Sequence, residues 1–171
     1  GSADDILRTL DDYAFEWHGE VLYQTHRKPA YEEALQQLIA DKLIYPCVCS
    51  RRELQEQAKQ SELGTIYPGL CANKQHPKIS DSALRIRTQD QPTEFEDQIM
   101  GCYGHNLKQD LGDFIVRRRD GLFAYQLAVV IDDEFQQITD IVRGIDLLDS
   151  TPRQIYLQQQ LNYNTPGYAH L

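Results

Sequence analysis

By residue type and spacing, the strongest candidates for chemistry are Cys47-Val48-Cys49 and the later run Tyr67-Pro68-Gly69-Leu70-Cys71. A Cys-x-Cys pair lets two thiolates reach one ion from a tight turn. A third thiolate returning from a loop closes most of a tetrahedron, and zinc suits such a donor set. Spacing leaves the fourth ligand open among Tyr67, His76, Cys102 and a water. Because a phenolate is an unusual ligand, chemistry alone favours His76 or Cys102. The competing interpretation is three free thiols in a loop.

A second pair is Tyr125, in an apolar run, and Arg143, between Ile138–Val142 and Gly144. An Arg at the end of a strand is well placed to hold a carboxylate or phosphate through two parallel N–H bonds. Spacing by itself favours a structural ion pair with Asp132, Asp133 or Asp146. A third feature is Arg117-Arg118-Arg119-Asp120-Gly121, which could touch phosphates by charge or could be the solvated end of a hairpin. The histidines (18, 26, 76, 105 and 170) show no paired spacing, and there is no nucleophile elbow or phosphate-binding glycine loop. Spacing alone supplies no catalytic centre.

The elements that must position these residues can be read in turn. Ser2 can cap a first helix, with Ile6, Leu7, Leu10 and Tyr13-Ala14 at helical spacing and Gly19 beyond its end. Arg27 to Leu43 carries the stripe Tyr31, Ala34, Leu35, Leu38 and Ile39, which predicts an amphipathic helix. Tyr45 to about Lys78 is poor in core formers and needs another source of order; Ser50 to about Gln60 predicts a short exposed helix. Leu84–Arg87, Phe95–Met100 and Asp113–Arg118 predict strands, with Pro92-Thr93 as a turn and Asp120-Gly121 as a hairpin turn. Phe123–Val130 fits a buried strand or a buried helix equally. Ile138–Val142 predicts a strand. A last helix starts near Thr151-Pro152, with Ile155, Leu157 and Leu161 facing inward.

Composition narrows the function. The chain has 171 residues, 41% apolar and 25% charged, which is ordinary globular usage. Seventeen basic against 26 acidic residues give −9, so a polyanion would have to bind through local patches such as Arg117–Arg119 or Arg51-Arg52. Four Cys in a chain of this length do not read as a disulfide scaffold. With no leader-like or membrane-spanning run, the expected setting is a reducing cytoplasm and no membrane.

Together these stretches resemble a known family. Asp113 to Asp133 (DFIVRRRDGLFAYQLAVVIDD) and Ile138 to Leu148 (ITDIVRGIDLL), continuing into Ser150-Thr151-Pro152-Arg153-Gln154, are similar to the catalytic domain of class I glutamyl synthetases. The Cys47/Cys49/Tyr67/Cys71 pattern resembles the zinc site of the shorter branch, the glutamyl-queuosine tRNA(Asp) synthetases. Cys71 is followed by Ala72-Asn73, whereas the zinc loop of ordinary glutamyl-tRNA synthetases tends to end in Cys-x-His. The resemblance spans Gly1 to Leu171.

What the resemblance implies is concrete. The fold would be α/β, an incomplete Rossmann-type class I synthetase catalytic domain with a zinc-binding insertion. Its expected parts are 1–45, the helical remainder of a first Rossmann half; 46–78, a zinc subdomain; 79–121, a strand-rich acceptor-type insertion; and 122–171, a second Rossmann half. Cys47, Cys49, Tyr67 and Cys71 would hold a structural Zn2+, and Tyr125 and Arg143 would bind glutamate. The reaction would activate glutamate with ATP and Mg2+ and transfer it to queuosine in the anticodon of tRNA(Asp), in a monomer. The HIGH-type motif would lie before Gly1 and the KMSKS-type loop beyond Leu171. The stretch is therefore expected to hold no catalytic residue and not to activate glutamate alone. The alternatives are a piece of an ordinary glutamyl-tRNA synthetase, or a non-catalytic zinc module that binds RNA or protein.

Overall fold

The helix over Lys28–Ala40 (α2) forms because Tyr31, Ala34, Leu35 and Leu38 recur on one face, and all four are buried. Pro29 sits in its first turn, where a missing N–H costs nothing. It stops where Lys42 takes a left-handed φ of 61° and the Leu43 N–H returns to the Leu38 carbonyl at 3.0 Å. In this computed structural model the described residues are 1–61, 63–74 and 82–171, with Arg51 described by its backbone only.

Two further helices close the core. Tyr125–Phe135 (α5) buries Leu127, Ala128, Val130 and Ile131, which resolves the strand-or-helix ambiguity of that run. Thr151–Leu161 (α6) buries Ile155, Leu157 and Leu161, as their spacing predicts. Asp132 of α5 accepts hydrogen bonds from Tyr31 Oη (2.5 Å) and Arg27 Nε (3.1 Å) and so ties α5 to α2.

One face of a three-stranded antiparallel sheet packs on these helices. Its order is β1 (Ile44–Cys47), β4 (Ala83–Ile86), β7 (Phe114–Arg117). Strand alternation sends Leu84, Ile86, Phe114 and Val116 into the core. Between β1 and β4 lie α3 (Arg51–Gln57), capped by Ser50 and Glu53, and the hairpin of β2 (Lys59–Ser61) and β3 (Gly64–Ile66).

The second sheet has the order β6-β5-β9-β8. β5 (Pro92–Asp97) and β6 (Gly101–Asn106) form a hairpin, and α4 (Leu107–Asp110) follows it. β8 (Asp140–Arg143) and β9 (Gly167–His170) run parallel, joined through a 3-10 segment (Ile145–Ser150) and α6, so β8-α6-β9 is a crossover unit. Two details depart from the sequence reading. Pro92-Thr93 opens β5 instead of making a turn, a tolerated place for proline because it is the first strand residue. The first helix, Ser2–Asp12 (α1), starts from Gly1 instead of a Ser2 cap, and none of its residues is buried. Among the described residues no helix is long and apolar enough to cross a membrane.

Candidate functional site

Cys47 ends β1, where pairing with Ala83 of β4 fixes its position, and Cys49 follows two residues on. The third thiol comes from a turn built on Gly69, whose φ of 76° lets Ala72 N–H bond back to the Gly69 carbonyl at 2.9 Å. Ligand atoms of Cys47, Cys49 and Cys71 all lie within 4.8 Å of one another. Cys49 Sγ is 3.4 Å from Cys71 Sγ, and Tyr67 Oη is 3.5 Å from Cys47 Sγ and 3.6 Å from Cys49 Sγ. Thiolates at ~2.3 Å and an oxygen at ~2.0 Å around a tetrahedral zinc would stand about 3.8 Å (S to S) and 3.5 Å (S to O) apart. The four side chains fit that set. Cys102 is exposed on β6 and is not one of the group; His76 lies outside the described residues.

The cluster is held from outside by residues that spacing did not single out. Tyr67 N–H bonds the Leu111 carbonyl at 2.8 Å. Gly112 has φ +73°, and a Cβ there would stand 2.3 Å from the Tyr67 carbonyl oxygen, so only glycine fits. On β4, alternation turns Arg85 away from the core towards the cluster. Its Nε donates to Cys47 Sγ at 3.3 Å, its Nη1 donates to the Asp113 carbonyl at 2.7 Å, and its guanidinium lies 3.7 Å over the Tyr67 ring. Asp113 accepts from Tyr45 Oη (2.7 Å), the Thr88 N–H (2.9 Å) and Lys108 Nζ (2.9 Å), linking the cluster's base to its surroundings.

Electrostatics make the same point. Burial pushes the Cys47 thiol up, but hydrogen bonds from Tyr67 and Arg85 and the Arg85 charge bring it down to about 7. Cys49 is pushed up to about 12 by burial and by the neighbouring Cys71 and Cys47. Tyr67 is raised above its ordinary range by burial and by Cys47 and Cys49. Acidic groups as close as Cys47, Cys49 and Tyr67 cannot all ionise beside one Arg, and a dication is the partner that would let them.

Of the other candidate residues, one starts α5 and one ends a strand of the second sheet. Tyr125 starts α5 and is 48% exposed. Arg143 ends β8, and its expected Asp partners do not hold it. Asp132 is taken by Arg27 and Tyr31, and Asp133 acts on Arg143 only through charge. Arg143 instead donates from Nε to His170 Nε2 (3.0 Å) and from Nη2 to Thr151 Oγ1 (2.7 Å). Tyr168 lies beneath it, 5.5 Å from guanidinium carbon to ring centre, and feels the charges of Arg143, Asp133 and Tyr125 together.

The basic run separates into different contacts. Arg117 is 3.7 Å from Glu32, Arg118 pairs with Asp120 at 2.7 Å, and Arg119 Nη2 donates to the Val48 carbonyl at 3.1 Å. Arg52 pairs with Glu56 at 2.8 Å, and the Arg51 side chain lies outside the description.

The whole chain, residues 1–171, matches the family described as tRNA synthetases class I (E and Q), catalytic domain. It is 48% identical over its full length to a glutamyl-Q tRNA(Asp) synthetase of Ectopseudomonas mendocina, spanning 56% of that protein. It is 52% identical to one of Neisseria meningitidis serogroup A, spanning 59% of it. The chain thus spans little more than half the length of these curated relatives. Its fold is similar to that of a glutamate tRNA ligase from Elizabethkingia meningosepticum solved in complex with its amino acid, with a TM-score of 0.71, 21% identity, 90% of this chain and 35% of that one covered.

Proposed function

Because this chain belongs to the class I tRNA synthetase (E and Q) catalytic-domain family, we propose that it is part of an enzyme that activates glutamate with ATP and transfers it to queuosine in the anticodon of tRNA(Asp). The observation that carries this reading is the full-length match, at about half identity, to proteins named glutamyl-Q tRNA(Asp) synthetase. Soft thiolates and one phenol oxygen support a resident zinc held by Cys47, Cys49, Tyr67 and Cys71. When bound, such an ion closes the loop structurally and takes no part in the reaction. The division into a zinc subdomain over 46–78 and a strand-rich insertion over 79–121 belongs to the same proposal.

Glutamate would meet Arg143 and Tyr125. Arg143 stands at the carboxyl end of β8, the end of a parallel strand where ligands of open α/β sheets bind. Its Nε and Nη2 are occupied by protein, and Nη1 has no protein partner among the described residues, so it faces a substrate carboxylate with donors to spare. Tyr125, half-exposed at the start of α5, would be the second contact. ATP with Mg2+ is the co-substrate that leaves glutamate as an adenylate.

Glutamate-dependent ATP–pyrophosphate exchange in the full-length protein tests this. Exchange without tRNA is expected. Exchange that appears only with tRNA points to an ordinary glutamyl-tRNA synthetase instead, and silence under both conditions overturns the assignment. Arg143→Ala is expected to raise the glutamate KM roughly 30-fold or more, the loss of one charge-assisted contact worth ~2 kcal/mol or more.

A further inference from the structure

Three strands of the second sheet end on polar residues that form one line across it. Asp97 is the last residue of β5, His170 the last of β9 and Arg143 the last of β8. β9 lies between the other two and runs parallel to both, so all three residues stand at the carboxyl ends of parallel strands. Asp97 Oδ2 is 2.6 Å from His170 Nδ1, and His170 Nε2 is 3.0 Å from Arg143 Nε. The Asp97 and His170 side chains have no solvent exposure.

The line carries a proton assignment. Arg143 Nε can only donate, so His170 Nε2 must present its lone pair, and the imidazole proton must sit on Nδ1 and be donated to Asp97. Asp97 is held as the acceptor by its backbone surroundings. Its Oδ1 takes N–H bonds from Ile99 (3.0 Å), Met100 (2.9 Å) and His170 (3.2 Å). Thr151 Oγ1, 2.7 Å from Arg143 Nη2, fixes a second edge of the guanidinium. What is left is Nη1, which has no protein partner among the described residues.

We propose that Asp97 and His170 are positioning residues for the amino-acid substrate. Asp97 sets the tautomer of His170, and His170 sets the plane of the Arg143 guanidinium that receives a carboxylate. This inference rests on reading Arg143 as the glutamate contact. It adds two residues that would not touch substrate at all.

Asp97→Asn is the sharpest test, because the three backbone N–H groups pin the amide oxygen where Oδ1 now stands. The amide NH2 then points at His170 Nδ1. That forces the proton to Nε2, against the Arg143 Nε–H, a donor facing a donor. In the full-length protein the expected result is a glutamate KM raised about 10-fold or more with the ATP KM unchanged. Ring nitrogen-15 shifts of His170 should report an Nδ1–H tautomer in the wild type and Nε2–H in the variant. His170→Phe should also raise the glutamate KM, whereas His170→Gln, which keeps an acceptor near Nε2, should restore most of it. A wild-type Nε2–H tautomer overturns the relay even if Asp97→Asn does not fold, as does a flipped tautomer with unchanged glutamate KM. If Arg143→Ala itself leaves the glutamate KM unchanged, the reading of the site has failed. The tautomer measurement, which needs no glutamate, still judges the relay on its own.

Discussion

The thiol cluster and the Arg143 neighbourhood are both polar centres beside one apolar core, but they are held in opposite ways. The cluster draws its four donors from Cys47 to Cys71, a short loop with few apolar residues, and packs with Tyr45, Leu54, Leu70, Ala72 and the Arg85 guanidinium. Arg143 is oriented by His170, which bonds to Asp97 from 73 residues away, and its supports are the ends of three paired strands. A short polar loop loses little entropy on closing but has little burial to offset even that, so the zinc proposed for it would supply the missing stability. Arg143 depends on the whole sheet being formed and needs no ion.

The comparison can be broken most forcefully at the cluster. Cys49→Ala, or removal of metal by a chelator, should reduce zinc from one equivalent to far below one. Hydrogen-exchange protection should disappear across 45–74 and survive in α2, α5 and α6. The effect should be the largest of all, since apparent zinc binding in finger peptides is ~10–16 kcal/mol. Protection in 45–74 that ignores the chelator would show that packing, not metal, orders this loop.

A core truncation sharpens the other side. Leu84 is completely buried on β4, and Leu84→Ala should cost ~2–5 kcal/mol in urea denaturation, by a similar amount with and without chelator. A cost that vanishes once zinc is removed would mean that the two regions are one cooperative unit.

A smaller effect is expected at Asp113, which ties Tyr45 and Arg85 beside the cluster to Lys108 of α4. Burial would raise its pKa, but bonds from Thr88, Lys108 and Tyr45 outweigh this and hold it below the ordinary carboxylate range. A depressed folded pKa gives stability that is fully present above the unfolded value of ~3.9 and is lost as pH falls through the folded value. Asp113→Asn should lower stability at pH 7 by about 1.5–3 kcal/mol, the scale of hydrogen bonds to a charged group. Its stability should also fall less steeply than the wild type's on acidification below pH ~4. Parallel acid profiles in urea titrations would remove Asp113 from this role. Asp97, whose pKa burial would raise, is likewise held low by His170 and by the N–H groups of Met100, Ile99 and His170. Acid should therefore loosen the second sheet too.

Much of this was open to a reader of the residues, and the misses have physical reasons. The stripe on α2 and the inward face of α6 follow from local periodicity, and each was found buried. β6 carries Gly101, Gly104, His105 and Asn106 and lacks strand composition. Gly104 is there because a Cβ would stand 2.4 Å from the Thr93 carbonyl oxygen of the paired strand, a reason visible only once the strands are paired. β9 is four residues long and offers no alternating pattern. At the candidate site, the three clustered cysteines announced themselves by spacing. Tyr67 was one candidate among four and was preferred only through resemblance, because chemistry favoured His76 or Cys102. Arg85, Gly112, Asp97 and His170 gave no signal, because each acts on a partner remote in the chain.

The sequence by itself determined the helices α2, α3 and α6, the grouping of three cysteines and the family, because periodicity, ligand spacing and long motifs are properties of neighbouring residues. Only the tertiary structure decided which groups hold Arg143, why Gly112 must be glycine, and where Arg85 points. Those depend on strand order and register, which bring residues far apart in the chain within hydrogen-bond reach and are set by the burial of the whole core.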